Sequence, residues 1–131
     1  MTAIDPSPGL AKLALAHCGV EARCLKAQDL DYEGCFDLVW ACASLLHVPF
    51  AEMPGVWQRI ARALKPGGIA FVTLKKGDFE GIRAERRYCD YTLAKLEQSG
   101  YREAGLKLIY SGESFDRRPG RGDEVWGEFC F

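Results

Sequence analysis

The sequence has no hydrophobic run near the ~18 residues a membrane span needs, no internal repeat and no low-complexity stretch. It also lacks an excess of one charge, with 17 Lys and Arg against 18 Asp and Glu. That balance gives no overall pull toward nucleic acid or an anionic membrane, so neither is expected as a partner. Histidine is scarce, at two residues, and the six cysteines (Cys18, Cys24, Cys35, Cys42, Cys89 and Cys130) form no C-x-x-C pair. Neither a metal centre nor a disulfide framework is expected. Met1 to Leu10 holds an Asp, two Pro and a Gly, unlike a signal or transit peptide. The expectation is a cytoplasmic protein whose reduced cysteines serve as small core hydrophobes.

What is present is ordinary for a folded domain: 131 residues, 48% hydrophobic and 27% charged. At roughly 100–200 residues per domain this is one domain, residues 1–131. Ser7-Pro8 makes an N-cap and first-turn pair for a helix with Leu10, Leu13, Ala14 and His17 or Cys18 on one face, closed by Cys18-Gly19. Ala22 to Ala27 reads as a strand. Phe36 to Cys42 has the bulk of a strand buried on both faces. A helix follows from about Pro54 to Leu64, stopped by Lys65-Pro66-Gly67-Gly68, and then a β-prone run, Ile69 to Leu74. Lys75 to Tyr88 reads as a polar, basic loop, with a short helix within it as the alternative, and Asp90 as the cap of a helix through Ser99. Tyr101 to Tyr110 and Val125 to Phe131 read as strands around a turn-rich Glu113–Asp123 segment. Trp40, Trp57 and Trp126 fall on core periodicity. Alternating strands and helices imply an α/β fold with a mostly parallel sheet, helices on both faces and a C-terminal antiparallel strand pair.

Three stretches carry a family resemblance. Phe36-Asp37-Leu38-Val39-Trp40-Ala41, the turn Leu64-Lys65-Pro66-Gly67-Gly68 leading into Ile69-Ala70-Phe71-Val72, and Glu97-Gln98-Ser99-Gly100-Tyr101 resemble class I S-adenosylmethionine-dependent methyltransferases, which are Rossmann-like. The resemblance implies that Asp5 binds the cofactor ribose, with shaping of the Asp-Pro turn as the plainer role. It places Gln28 and Asp29 near the adenine, with a solvated strand end as the alternative. Ala41 and Cys42 fall beside the methionine moiety, and Ser44 and His47 on the substrate side. His47 is the candidate catalytic base, against a packed loop histidine. Two arginine groups, Arg83, Arg86 and Arg87, then Arg117, Arg118 and Arg121, read as solvated loop charge or as a site for an anionic substrate.

One family feature has no counterpart: no first strand and Gly-rich turn stand before Asp5, as if the domain were incomplete at its N-terminus. In the family that strand lies between those matching Ala3-Ile4 and Phe36–Cys42, so its loss exposes edges. The expectation is that the Asp5 strand shifts beside Phe36–Cys42, or that a homodimer covers the gap. The function implied is methyl transfer from S-adenosylmethionine to a small-molecule acceptor. The alternative is a non-catalytic methyltransferase-like remnant acting through association.

Overall fold

Local signals set most of the element boundaries. The computed structural model describes Met1–Phe131. Strand β1 (Ala3–Ile4) leads into helix α1 (Pro8–Cys18), where the Ser7 Oγ accepts the Leu10 N–H at 3.3 Å. Gly19, at φ 66°, turns its N–H back onto the Ala14 and Leu15 carbonyls and closes the helix, a left-handed cap that suits glycine. Strand β2 stops at Arg23 (Ala22–Arg23), and Ala27–Asp29 forms a 3-10 turn in place of the expected longer strand.

The main sheet is β3 (Phe36–Cys42), β4 (Leu64–Lys75), β7 (Tyr110–Phe115) and β8 (Val125–Cys130), ordered β3-β4-β8-β7. Helix α2 (Met53–Ala63) connects β3 to β4, which pair in parallel from Leu38↔Ile69 to Cys42↔Thr73. Strand β8 runs antiparallel to both β4 and β7, as expected for the C-terminal pair. The expected 75–88 loop is a hairpin, β5 (Glu80–Arg83) with β6 (Arg86–Cys89). Helix α3 is short (Leu93–Glu97), and Thr92 caps it instead of Asp90. The expected strand from Tyr101 is a turn, and pairing begins only at Tyr110.

Two expectations about the sheet are overturned. It is not one mostly parallel sheet: β1 pairs only with β2, and β3 only with β4, so the strand carrying Asp5 has not moved beside Phe36–Cys42. Strand β1 is two residues long, and its exit is fixed to β2 by the Asp5 N–H on the Arg23 carbonyl at 3.0 Å. Pro6 then supplies no N–H with which to extend a ladder.

Nor do helices cover both faces. On the inner face, α2 presents Met53, Val56, Trp57 and Ile60 to Ala70, Val72 and Leu74 of β4, with Leu96, Tyr101, Phe129 and Phe131 completing the core. The buried Trp57 indole donates to the Ser99 Oγ at 2.9 Å. On the outer face, Leu38 is 52% exposed and Trp40, stacked on Phe71, is 65% exposed. Trp40 is therefore no core residue, Trp126 is only half-buried, and α1 buries none of its side chains. The cysteine expectation also changes: Cys89 is buried and Cys130 half-buried, but the other four are exposed and all six are free thiols. No helix is long and apolar enough to cross a membrane.

Candidate functional site

The end of β3 sets the site. Ala43, the first residue past the strand, has φ 49°, in the left-handed region that costs a residue with a Cβ. Thr73, opposite Cys42 on β4, holds this turn: its Oγ1 accepts the Ala43 N–H at 2.9 Å and lies 3.5 Å from the Cys42 sulfur. The 3-10 turn Leu45–His47 follows, with Leu45 and Leu46 buried, so the backbone carrying His47 is anchored from below. The His47 Nδ1 lies 2.7 Å from the Arg87 carbonyl oxygen. A carbonyl only accepts, so Nδ1 carries a proton, and whenever the ring is neutral Nε2 is its acceptor. The ring also packs edge-on against Tyr88 at 4.9 Å between centroids.

A cleft of about 640 Å³ opens here. Its floor is the outer face of the sheet at one end, with Cys42, Thr73, Lys75, Trp126 and Glu128. The β5–β6 hairpin supplies Arg83, Arg86 and Tyr88, and the β7–β8 connection supplies Arg118 and Arg121. Arg83 donates to the buried Asp90 at 2.8 Å and lies over the Phe79 ring. Asp116, itself buried, accepts from the Arg118 guanidinium, the Arg118 backbone N–H and the Trp126 indole. The Arg118 side chain, then its backbone N–H, holds the Asp116 carboxyl far below the usual carboxylate range. Lys75 meets Glu124 at 3.0 Å.

The structure gathers Cys42 and His47 on this cleft and leaves the other candidates elsewhere. Asp5 accepts the Ser7 N–H at 2.7 Å through Oδ1, the turn-shaping role, with Oδ2 unengaged. Gln28 donates to Glu52 at 2.9 Å beside a separate groove with Gly55 and Arg59. Asp29 and Ser44 are exposed and make no side-chain hydrogen bond, while Ala41 is buried in the strand. Thr73 and Asp116 are the residues that sequence reasoning missed. A polar residue near the end of the apolar run Ile69–Leu74 was the available signal for Thr73. Asp116 had none, because its partners Arg118 and Trp126 meet it only once the β7–β8 connection folds.

Residues 1–72 match the sequence profile of a family described as Methyltransferase domain. No match is found among curated proteins. Solved structures share the fold. A methyltransferase dependent on S-adenosylmethionine from Methanosarcina mazei superimposes with a TM-score of 0.81 at 16% identity, over 98% of this chain and 79% of that one. The 1,6-didemethyltoxoflavin-N1-methyltransferase of Burkholderia thailandensis, with its substrate and S-adenosylhomocysteine bound, gives 0.74 at 24% identity, over 98% and 59%. A Leishmania major methyltransferase gives 0.78 at 11% identity, over 98% and 53%. The chain thus spans little more than half the length of these last two relatives.

Proposed function

This chain belongs to the methyltransferase-domain family, and on that premise we propose that it takes part in methyl transfer from S-adenosylmethionine to a small-molecule acceptor. The observation that carries the reading is the fixed His47 ring, whose Nδ1–H is committed to the Arg87 carbonyl while Nε2 remains as an acceptor at a cleft of molecular size.

The residues that would hold the cofactor have free polar groups for it, although Asp5, Gln28 and Asp29 do not line the His47 cleft. Asp5 keeps one carboxylate oxygen for the ribose hydroxyls, and Asp29 stands exposed and unpartnered for the adenine amino group, with Gln28 beside it. Cys42 and the backbone at Ala43, next to Ala41 and Ser44, would hold the methionine end. When bound, the sulfonium supplies an electrophilic methyl group. The chain's own part is to align the acceptor, which accounts for much of the rate in such displacements, and to take up its proton at His47 Nε2. Thr73 and Tyr88 act through His47, by fixing the turn before it and the face of its ring.

Calorimetric titration of the chain with S-adenosylhomocysteine tests this reading. Saturable binding, weakened at least tenfold by Asp5→Ala, is expected. A folded sample that binds nothing would leave the competing reading, a non-catalytic methyltransferase-like chain acting through association, for which the uncovered outer face is the supporting observation.

A further inference from the structure

The cations around the His47 cleft are not equivalent. Three of the five have carboxylate partners: Arg83 with Asp90, Arg118 with Asp116, and Lys75 with Glu124. Arg86 and Arg121 have none, and both are exposed. They come from different elements, Arg86 from the hairpin and Arg121 from the β7–β8 connection, yet both line the cleft that holds His47. Glu128, on the floor, is the one lining carboxylate without a cation partner. The local balance is therefore positive in a chain whose formal net charge is −1.

The hairpin is built at a cost. Its two-residue turn, Ala84-Glu85, has φ 45° and 64°, the paired left-handed conformation of a tight turn that normally takes Asn-Gly. Neither residue relieves the strain as glycine does. Ala84 lines the cleft, flanked by Arg83 and Arg86. Such strain concentrates at ligand clamps, and here it fixes the base of the unpaired arginine.

We propose that the methyl acceptor is an anion: a small organic molecule whose carboxylate or phosphate group is held by Arg86 and Arg121 while its nucleophile faces His47. The inference rests on the methyltransferase reading for the word acceptor, but not for the site itself. Guanidinium forks suit both oxyanions, since each N–H pair matches two oxygens. Lys75, Arg83 and Arg118, tied to carboxylates, shape the cleft instead of competing for the ligand.

The test is an amide chemical-shift titration of the full chain with inorganic phosphate and, separately, malonate, at about 0.15 M ionic strength. Saturable shifts at His47, Arg86 and Arg121 are expected, with Arg86→Gln and Arg121→Gln each weakening binding about tenfold. Lys12→Gln, at an exposed position on α1 away from the cleft lining, is expected to change nothing. Tighter binding of phosphate identifies a phosphate ester as the acceptor, and tighter binding of malonate an organic acid. No saturable binding of either anion, or binding indifferent to both cleft variants, overturns the proposal. Titrating the same sample with S-adenosylhomocysteine separates the two readings. Cofactor binding without anion binding removes only this proposal, and anion binding without cofactor binding removes the methyltransferase reading while the anion site stands.

Discussion

At the residue scale, the site depends on side chains that hold backbone. Thr73 satisfies the Ala43 N–H in a turn the backbone does not favour. Thr73→Val keeps the shape and removes the acceptor, so it should cost about 0.5–1.5 kcal/mol of stability, the usual net worth of a hydrogen bond whose freed donor water can reach. Denaturant unfolding checks this, and a midpoint equal to wild type would show that the turn is held some other way. Asp116 does the same for the β7–β8 connection. Its carboxyl titrates well below the usual range when folded, because Arg118 hydrogen-bonds the charged form. A depressed folded value means the stabilisation is complete above about pH 4 and fades only as pH falls through the lower folded value. The indole N–H signal of Trp126, which donates to Asp116 at 3.2 Å, should stay constant from neutral pH down to about 4. In Asp116→Asn it should be displaced already at neutral pH. A wild-type signal that drifts with an ordinary carboxylate titration would contradict the assignment.

At the element scale, the β5–β6 hairpin carries the most evident local misfit. Two residues at positive φ without a glycine cost roughly 1–2 kcal/mol each. Replacing the turn by Ala84→Asn with Glu85→Gly should therefore stabilise the chain by about 1–2 kcal/mol, read as a higher melting temperature. No gain would mean that tertiary contacts, not local strain, set this turn. The hairpin also shows where sequence reading failed. Lys75 to Tyr88 is polar and lacks a turn dipeptide such as Asn-Gly, so nothing local announced two strands. Where local chemistry was strong it was legible: Ser7-Pro8 and Gly19 bound α1, Lys65-Pro66-Gly67-Gly68 falls just past the end of α2 at Ala63, and Gly100-Tyr101 marks the chain exit. There Gly100 sits at φ 93° against Pro54, and Tyr101 is buried beside Trp57 and Phe131. Asp90 was misread as a cap because its partner, Arg83, belongs to the unforeseen hairpin. Of the candidate site, the family resemblance pointed to Cys42 and His47, and the structure puts both on one cleft. That Asp5, Gln28 and Asp29 do not line this cleft was not legible, since it depends on how the sheet splits.

At the scale of the whole molecule, the split sheet leaves too much surface. A folded monomer of 14.6 kDa is expected to expose roughly 6,900 Å². This chain exposes 8106 Å², an excess of roughly 1,200 Å² over that scaling. The excess has two evident places, helix α1, which exposes Leu10, Leu13 and Leu15, and the outer face of the sheet. Leu38, Trp40, Ile69 and Tyr110 are among the exposed large hydrophobics on the outer face, and the far edge of β3 has no partner strand. An open apolar edge invites pairing, and a stable interface needs only about 800 Å² from each partner. The occupant we expect is a second copy, since a two-fold contact would set apolar face against apolar face and a net charge of −1 sets up little repulsion. The chain should sediment as a dimer at micromolar concentration. Trp40→Glu, a change at an exposed position, should return it to a monomer with unchanged far-ultraviolet circular dichroism. A wild-type chain that stays monomeric as concentration rises, or a dimer indifferent to Trp40→Glu, would show that a second copy does not cover this face.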